Sequence, residues 1–256
     1  MTKPHPNLSE WLPLGQLATR QWLLERGVSR HSLDNALKSG KLVAVARGVV
    51  ARPEIPLGWQ GVVASLDRIL PSAVYVGGLS ALNQHGLGHY VNFDSQMHLY
   101  SAAAQPSWLP KLKLNVELFW HSTVRLWDER GLQMAKSLRE QTAEAGWSWR
   151  LASPEQAFFE MLAGVPSEVS FEHADNLMQG LSSLSPRRLD ALLRACRHVQ
   201  VKRLFFFFAD RHQYPWRKHL SAESYDLGVG KRSIVPGGKL DQTYLITVPE
   251  SFHGSE

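Results

Sequence analysis

Residues 19–52 read TRQWLLERGVSRHSLDNALKSGKLVAVARGVVAR, and the order of caps, stops and periodicities in this stretch decides the fold of the N-terminal part. Thr19 offers a hydroxyl where a helix through Arg26 needs an N-cap, and Gly27 stands where that helix must turn left-handed to stop. Ser29 caps a second helix over residues 30–39. Its spacing puts Leu33, Ala36 and Leu37 on one stripe and Arg30, His31, Asp34, Asn35 and Lys38 on the opposite arc, and Gly40 ends it. The β-prone runs 41–46 and 49–52 flank Arg47-Gly48, a pair suited to a hairpin turn. Upstream, Asn7 is expected to cap a short helix that Pro13 ends; downstream, Pro53 and Pro56 mark a linker.

Two helices separated by Gly27-Val28-Ser29 and followed by a basic hairpin match a winged helix-turn-helix, whose second helix enters the major groove. Arg30 and Asn35 suit guanine and adenine edges, and His31 and Lys38 suit bases or phosphate. Arg47 at the hairpin tip suits phosphate or the minor groove, and Arg52 at its base completes the DNA-facing set. The plainer alternative is a small helical module whose polar face is only solvated.

A chain of 256 residues, 44% hydrophobic, has enough apolar surface for a second and larger core. Its single cysteine, Cys196, excludes a disulfide framework and a cysteine-based zinc site and suits a reducing cytoplasm. The longest apolar stretch, residues 204–209, falls far short of the ~20 residues that span a bilayer, and residues 1–12 lack the apolar core of a secretory signal. No membrane partner is expected. The net charge of +5 is unevenly spread: residues 1–57 carry +4, 151–184 carry −5 and 185–220 carry +7. Clustered cations are the footprint expected for nucleic acid. For the basic segment a second reading stays open, ion pairing with the acidic segment before it.

Beyond the linker the pattern is mixed, which makes the fold class α+β. Helices are expected at 59–70 and 79–85, and strands at 73–76, 97–100, 116–120 and 244–248. Ser153-Pro154-Glu155-Gln156 and Ser185-Pro186 both combine a serine cap with proline at the first helical position. The second of these helices turns Leu189, Leu192, Leu193 and Cys196 inward and Arg187, Arg194 and His198 outward. Residues 201–212 form a helix so apolar at Phe205–Phe208 that it must be buried.

Catalytic signatures fail one by one. In Gly228-Val229-Gly230-Lys231-Arg232-Ser233 an arginine follows the lysine where a phosphate loop needs a hydroxyl, and Tyr225 takes the place of its first glycine. The segment reads instead as a turn-rich cationic loop. Among eleven histidines, His85 and His89 are four apart, but Gly86 and Gly88 interrupt any helix that would align them. No lysine has an acid two residues before it, so the E-x-K element of metal-dependent nucleases is missing, and no G-x-S-x-G elbow occurs. No catalytic residue, metal or cofactor is expected.

Several blocks resemble AbiEi-type antitoxins of type IV toxin-antitoxin systems. The first is ATRQWLLERGVSRHSLDNALKSGKLVAVARGVVARP, followed by SALNQHGLGHYV and ASPEQAFFEMLAGVP. Then come FEHADNLMQGLSSLSPRRLDALLRACRHVQVKRLFFFFADRHQYPW and YDLGVGKRSIVPGGKLDQTYLITVP. Val50 departs from an expected tyrosine, and Lys41-Leu42 from a common Gly-Trp-Leu. The resemblance implies a bacterial autorepressor in two parts, a winged helix-turn-helix at 1–57 and a mixed α/β antitoxin domain at 58–256. The first would bind double-stranded promoter DNA. The second would counteract a nucleotidyltransferase-like toxin, and whether by direct binding is open. Lys231 and Arg232, with Arg194, are the expected antitoxin surface. The alternatives are a regulator without a toxin and a nucleic-acid-processing enzyme such as a nuclease.

Overall fold

The computed structural model describes residues 8–88 and 95–253, so Asn7 and His89 lie outside the described residues. The order expected of residues 19–52 is present: α1 (Leu8–Trp11), β1 (Leu17–Thr19), α2 (Arg20–Glu25), α3 (Arg30–Lys38), β2 (Val43–Ala46) and β3 (Val49–Ala51). Both caps form, Thr19 Oγ1 accepting from Trp22 N and Ser29 Oγ from Ser32 N, each at 3.1 Å. Gly27 stops α2 with φ 87°. Strand β1, three residues long, is too short to display a period in the sequence. It joins the hairpin in a sheet of order β1-β3-β2, with Ala18 opposite Val50.

The chain divides into two compact units. The first comprises Met1–Val76, Asn92–His121 and Glu140–Leu151; the second comprises Gly77–Val91, Ser122–Arg139 and Ala152–Glu256. In the first, Leu12, Ala18, Leu23, Leu33 and Leu42 form the heart of a small core under α2 and α3. The helix after the linker, α4 (Trp59–Ile69), packs on β1 backbone to backbone. Ser65 Oγ accepts the Leu17 N–H at 2.9 Å and donates to Gly61 O at 2.6 Å. A methyl group on Gly61 would sit 1.7 Å from Gly15 O. Gly61→Ala should therefore destabilise the protein by about 3 kcal/mol in denaturant titration, although helix propensity alone favours alanine by about 1 kcal/mol. A neutral or stabilised variant would disprove the contact.

A five-stranded sheet follows, built from β4 (Tyr75–Val76), β5 (Gln96–Ser101), β6 (Glu117–Ser122), β7 (Leu138–Thr142) and β8 (Ser148–Ala152). Its order is β6-β5-β4-β8-β7, with β4 antiparallel to β5 and parallel to β8.

The second unit is mainly helical: α5 (Gly78–Gln84), α6 (Glu129–Ala135), α7 (Pro154–Leu162), α8 (Phe171–Gln179), α9 (Pro186–Ala195) and α10 (Val199–His212), with a ribbon of β9 (Lys239–Asp241) and β10 (Ile246–Val248). As Phe205–Phe208 require, α10 is buried from Val201 to Ala209. Phe205 stacks on Phe159 at 4.6 Å, and Phe206 on Tyr244 at 6.0 Å. Helix α7 carries two buried carboxylates, each placed at the start of another helix, where the dipole favours negative charge. Glu160 accepts from Gly78 N (3.0 Å), Gln156 Nε2 (2.7 Å) and Trp127 Nε1 (3.3 Å). Glu155 accepts from Ser185 N and pairs with Arg188 at 2.8 Å. Burial opposes ionisation of Glu155, yet these bonds hold its carboxyl below the usual range.

Cys196 faces the core, 3% exposed, and burial pushes its thiol up to about 12. At pH 8 iodoacetamide should leave the native protein unmodified and alkylate it only in denaturant, as mass spectrometry would report; native alkylation would place the thiol at the surface.

Candidate nucleic-acid interface and cationic loop

Helix α3 buries Leu33 and Ala36 and leaves Arg30, His31, Asp34, Asn35 and Lys38 exposed, so the two faces read from the sequence are the two faces observed. Arg20, at the start of α2, pairs with Asp34 at 2.6 Å. That pairing removes the one acid from the arc. Among the described residues Arg30, Lys38, Lys41 and Arg47 make no ion pair, and all four are exposed. Lys41, at the head of the β-prone run 41–46, precedes β2 in the structure and joins this group. Asn35 Nδ2 donates to His31 Nε2 at 2.9 Å, one turn apart, so the amide is already oriented before any base is met.

The hairpin turn holds Arg47 and Gly48 between Ala46 and Val49, with Gly48 at φ 74°. Gly48 O accepts from Arg20 N at 2.8 Å, which fixes the hairpin tip beside the start of α2. Arg52 is different. Its Nε and Nη2 both donate to Glu54 Oε1, at 3.2 and 2.7 Å, and hold the Glu54 carboxyl below the usual range. Its charge is balanced, and reaching a phosphate would require exchanging Glu54. Val50 and Leu42, each 1% exposed, lie in the core, whereas Lys41, the other residue of the second departure from the family pattern, is exposed on this face.

The cationic loop is held from beneath. Arg203, on α10 and 2% exposed, donates through Nε to Leu227 O (2.7 Å), through Nη2 to Gly228 O (3.1 Å), and through Nη1 to Gly230 O (2.7 Å) and Leu245 O (3.1 Å). Asp226 accepts the Gly228 N–H at 2.8 Å, and Gly228 and Gly230 take φ of 64° and 73°. A phosphate cradle needs converging N–H groups; here carbonyls converge on a cation. The loop consequently turns Val229 outward, 87% exposed, with Lys231 and Arg232 exposed after it. Arg194 lies with its guanidinium 5.5 Å from the Tyr225 ring and pairs with Asp190 at 3.1 Å. Tyr225 OH donates to the same carboxylate at 2.7 Å. The Arg194 contact reaches Tyr225, three residues before Gly228, and not Lys231 or Arg232 themselves.

Two family models cover the chain, one described as the N-terminal domain of an AbiEi antitoxin and transcriptional regulator (residues 2–93), the other as an AbiEi antitoxin and transcriptional regulator of a type IV toxin-antitoxin system (residues 94–249). The chain belongs to the AbiEi antitoxin family. The N-terminal match runs past the linker through α4, β4 and α5. Among solved structures, the RV2827C protein of Mycobacterium tuberculosis has a similar fold, with a TM-score of 0.52 at 17% identity over 90% of this chain and 85% of that one. No curated protein matches the sequence.

In this AbiEi chain the basic segment 185–220 is largely balanced internally. Arg188 pairs with Glu155, and Arg211 and His212 with Asp175, all three carboxylate contacts reaching the acidic segment. Arg197 pairs with Asp128 and Arg217 with Asp210, while Arg203 is spent on the loop. Among the described residues Arg187 and Lys218 remain exposed without an ion pair. No group of three or more histidine, cysteine, aspartate or glutamate side chains suited to a metal occurs among the described residues. Among the described residues no helix is long and apolar enough to cross a membrane.

Proposed function

We propose that this chain is a bacterial, cytoplasmic autorepressor and antitoxin without catalytic activity or cofactor. Residues 1–57 form a winged helix-turn-helix that binds double-stranded DNA of the chain's own promoter through Arg30, His31, Asn35, Lys38 and Arg47, with Arg52 in a lesser part. Residues 58–256 counteract a nucleotidyltransferase-like toxin through the surface of Arg194, Lys231 and Arg232. The observation that carries the DNA reading is the exposed arc of α3, whose cations make no ion pair among the described residues and whose one acid is taken by Arg20, the residue that also holds the hairpin tip. The rigid outward loop supports the antitoxin reading.

Two measurements test it. The purified chain should bind the DNA upstream of its own gene more tightly than random duplex, with affinity falling as salt rises. Co-expression with an adjacent nucleotidyltransferase-like reading frame should restore growth that the latter arrests. Equal affinity for random DNA refutes autorepression, and persistent arrest refutes the antitoxin assignment. Because α4 is packed on β1 through Gly61 and Ser65, point variants in the full chain separate the two roles better than a cut at residue 57.

A further inference from the structure

Trp22 on α2 is 5% exposed, and two guanidinium groups lie over its ring. Arg26 Cζ is 3.5 Å from the ring centroid and Arg68 Cζ, from the last turn of α4, is 4.8 Å from it. Both arginines are half-buried, and among the described residues neither has a carboxylate partner. Among the described residues Arg26 makes one long bond, Nη1 to Trp22 O at 3.4 Å. Nε and Nη2 of Arg68 and Nε1 of Trp22 are buried without an acceptor among the described residues.

Such an arrangement is costly in a protein interior. Two like charges share one ring, and each buried donor left unmade forfeits the hydrogen bond it had in water. Burial and the nearby Arg26 both act against the charged form of Arg68. Every unmet group here is a donor, so the missing complement is an acceptor carrying negative charge. Nε and Nη2 form one edge of the guanidinium fork, the edge that grips two oxygens of a carboxylate or phosphate. A carboxylate held by that edge carries a single negative charge and has no oxygen beyond the two so engaged. A phosphoryl group has further oxygens for the Trp22 N–H and for Arg26, and its charge offsets both cations.

We propose that Arg26, Arg68 and Trp22 form a phosphate-binding site. Its ligand is a phosphoryl group, supplied either by the backbone of bound DNA or by a free phosphate compound.

The probe is inorganic phosphate, compared with potassium chloride at equal ionic strength, on the full chain and on Arg68→Met, which keeps the apolar stem and removes the charge. Calorimetry should show saturable binding of about one phosphate to the wild type. Its thermal midpoint should rise by roughly 3–5 °C over chloride, a rise that Arg68→Met and Arg26→Met both lose. In chloride Arg68→Met should melt no lower than the wild type, since removing one of two like charges relieves repulsion. Non-saturable binding, or an equal rise in wild type and variants, overturns the site, the first without relying on any variant. A non-specific duplex identifies the source. If DNA supplies the phosphate, Arg68→Met lowers the slope of log affinity against log salt by about one; if a free compound does, the slope is unchanged while the response to phosphate is lost.

Discussion

Replacing Arg30 and Arg47 together by glutamate should lower affinity for promoter DNA by roughly 10²–10³-fold at 100 mM salt while leaving the melting transition in place. Both side chains are exposed and make no ion pair among the described residues, so the fold gives up nothing when they change. On DNA, each reversal removes a cation and sets an acid against phosphate. Fluorescence anisotropy over a range of salt should also show the log–log slope fall by about two. Arg52→Ala is the internal control, with an expected loss of only about threefold, because Glu54 already balances that charge. Asn35→Ala should act differently, relaxing preference at one base by about 1–3 kcal/mol. Wild-type affinity in the double variant would remove α3 and the hairpin from DNA binding.

The second large effect is expected at Arg203, a residue no partner can touch. Arg203→Met keeps the apolar stem but leaves four main-chain carbonyls, in and beside the loop, without their charged donor, which should cost about 4 kcal/mol in denaturant titration. The loop should then lose protection in hydrogen exchange. Antitoxin activity should fall with it, while promoter binding persists at temperatures where the chain stays folded. Lys231→Glu with Arg232→Glu isolates recognition from folding. Both residues are exposed, so this pair should abolish rescue from the toxin with a nearly unaltered midpoint. Full rescue by either variant would remove the loop from the mechanism.

How much of this could be read beforehand follows the range of each interaction. The caps at Thr19, Ser29, Ser153 and Ser185 act over three residues, and all four form as the sequence spells them. The two faces of α3 and the burial of α10 follow from periodicity and from four consecutive phenylalanines. Helix α8 was missed although Ser170 caps it and Phe171, Ala174, Leu177 and Met178 mark a buried face, a signal that was present. Helix α6 had only the Asp128 cap to announce it. Strands β7 and β8 lack clean alternation and gain their identity from sheet neighbours. The arginines were the least legible. Arg20, Arg52, Arg68 and Arg203 look alike in sequence, yet one neutralises an acid on α3, one is itself neutralised, one is half-buried without a partner and one braces a loop. Partners distant along the chain decide which is which, and composition carries no record of them.

The grip of Arg203 on main-chain oxygens also bears on how such a protein can diverge. Its hydrogen bonds run to carbonyls at residues 227, 228, 230 and 245, and none depends on the side chains at positions 229, 231 and 232. Selection can therefore rewrite those three positions without disturbing the support beneath them, provided the glycines that allow the turn are kept. On the proposed reading, in which this loop meets the toxin, the brace should stay fixed while the apex drifts among descendants facing different toxins, so new specificities can arise one substitution at a time from a lineage that never stops folding.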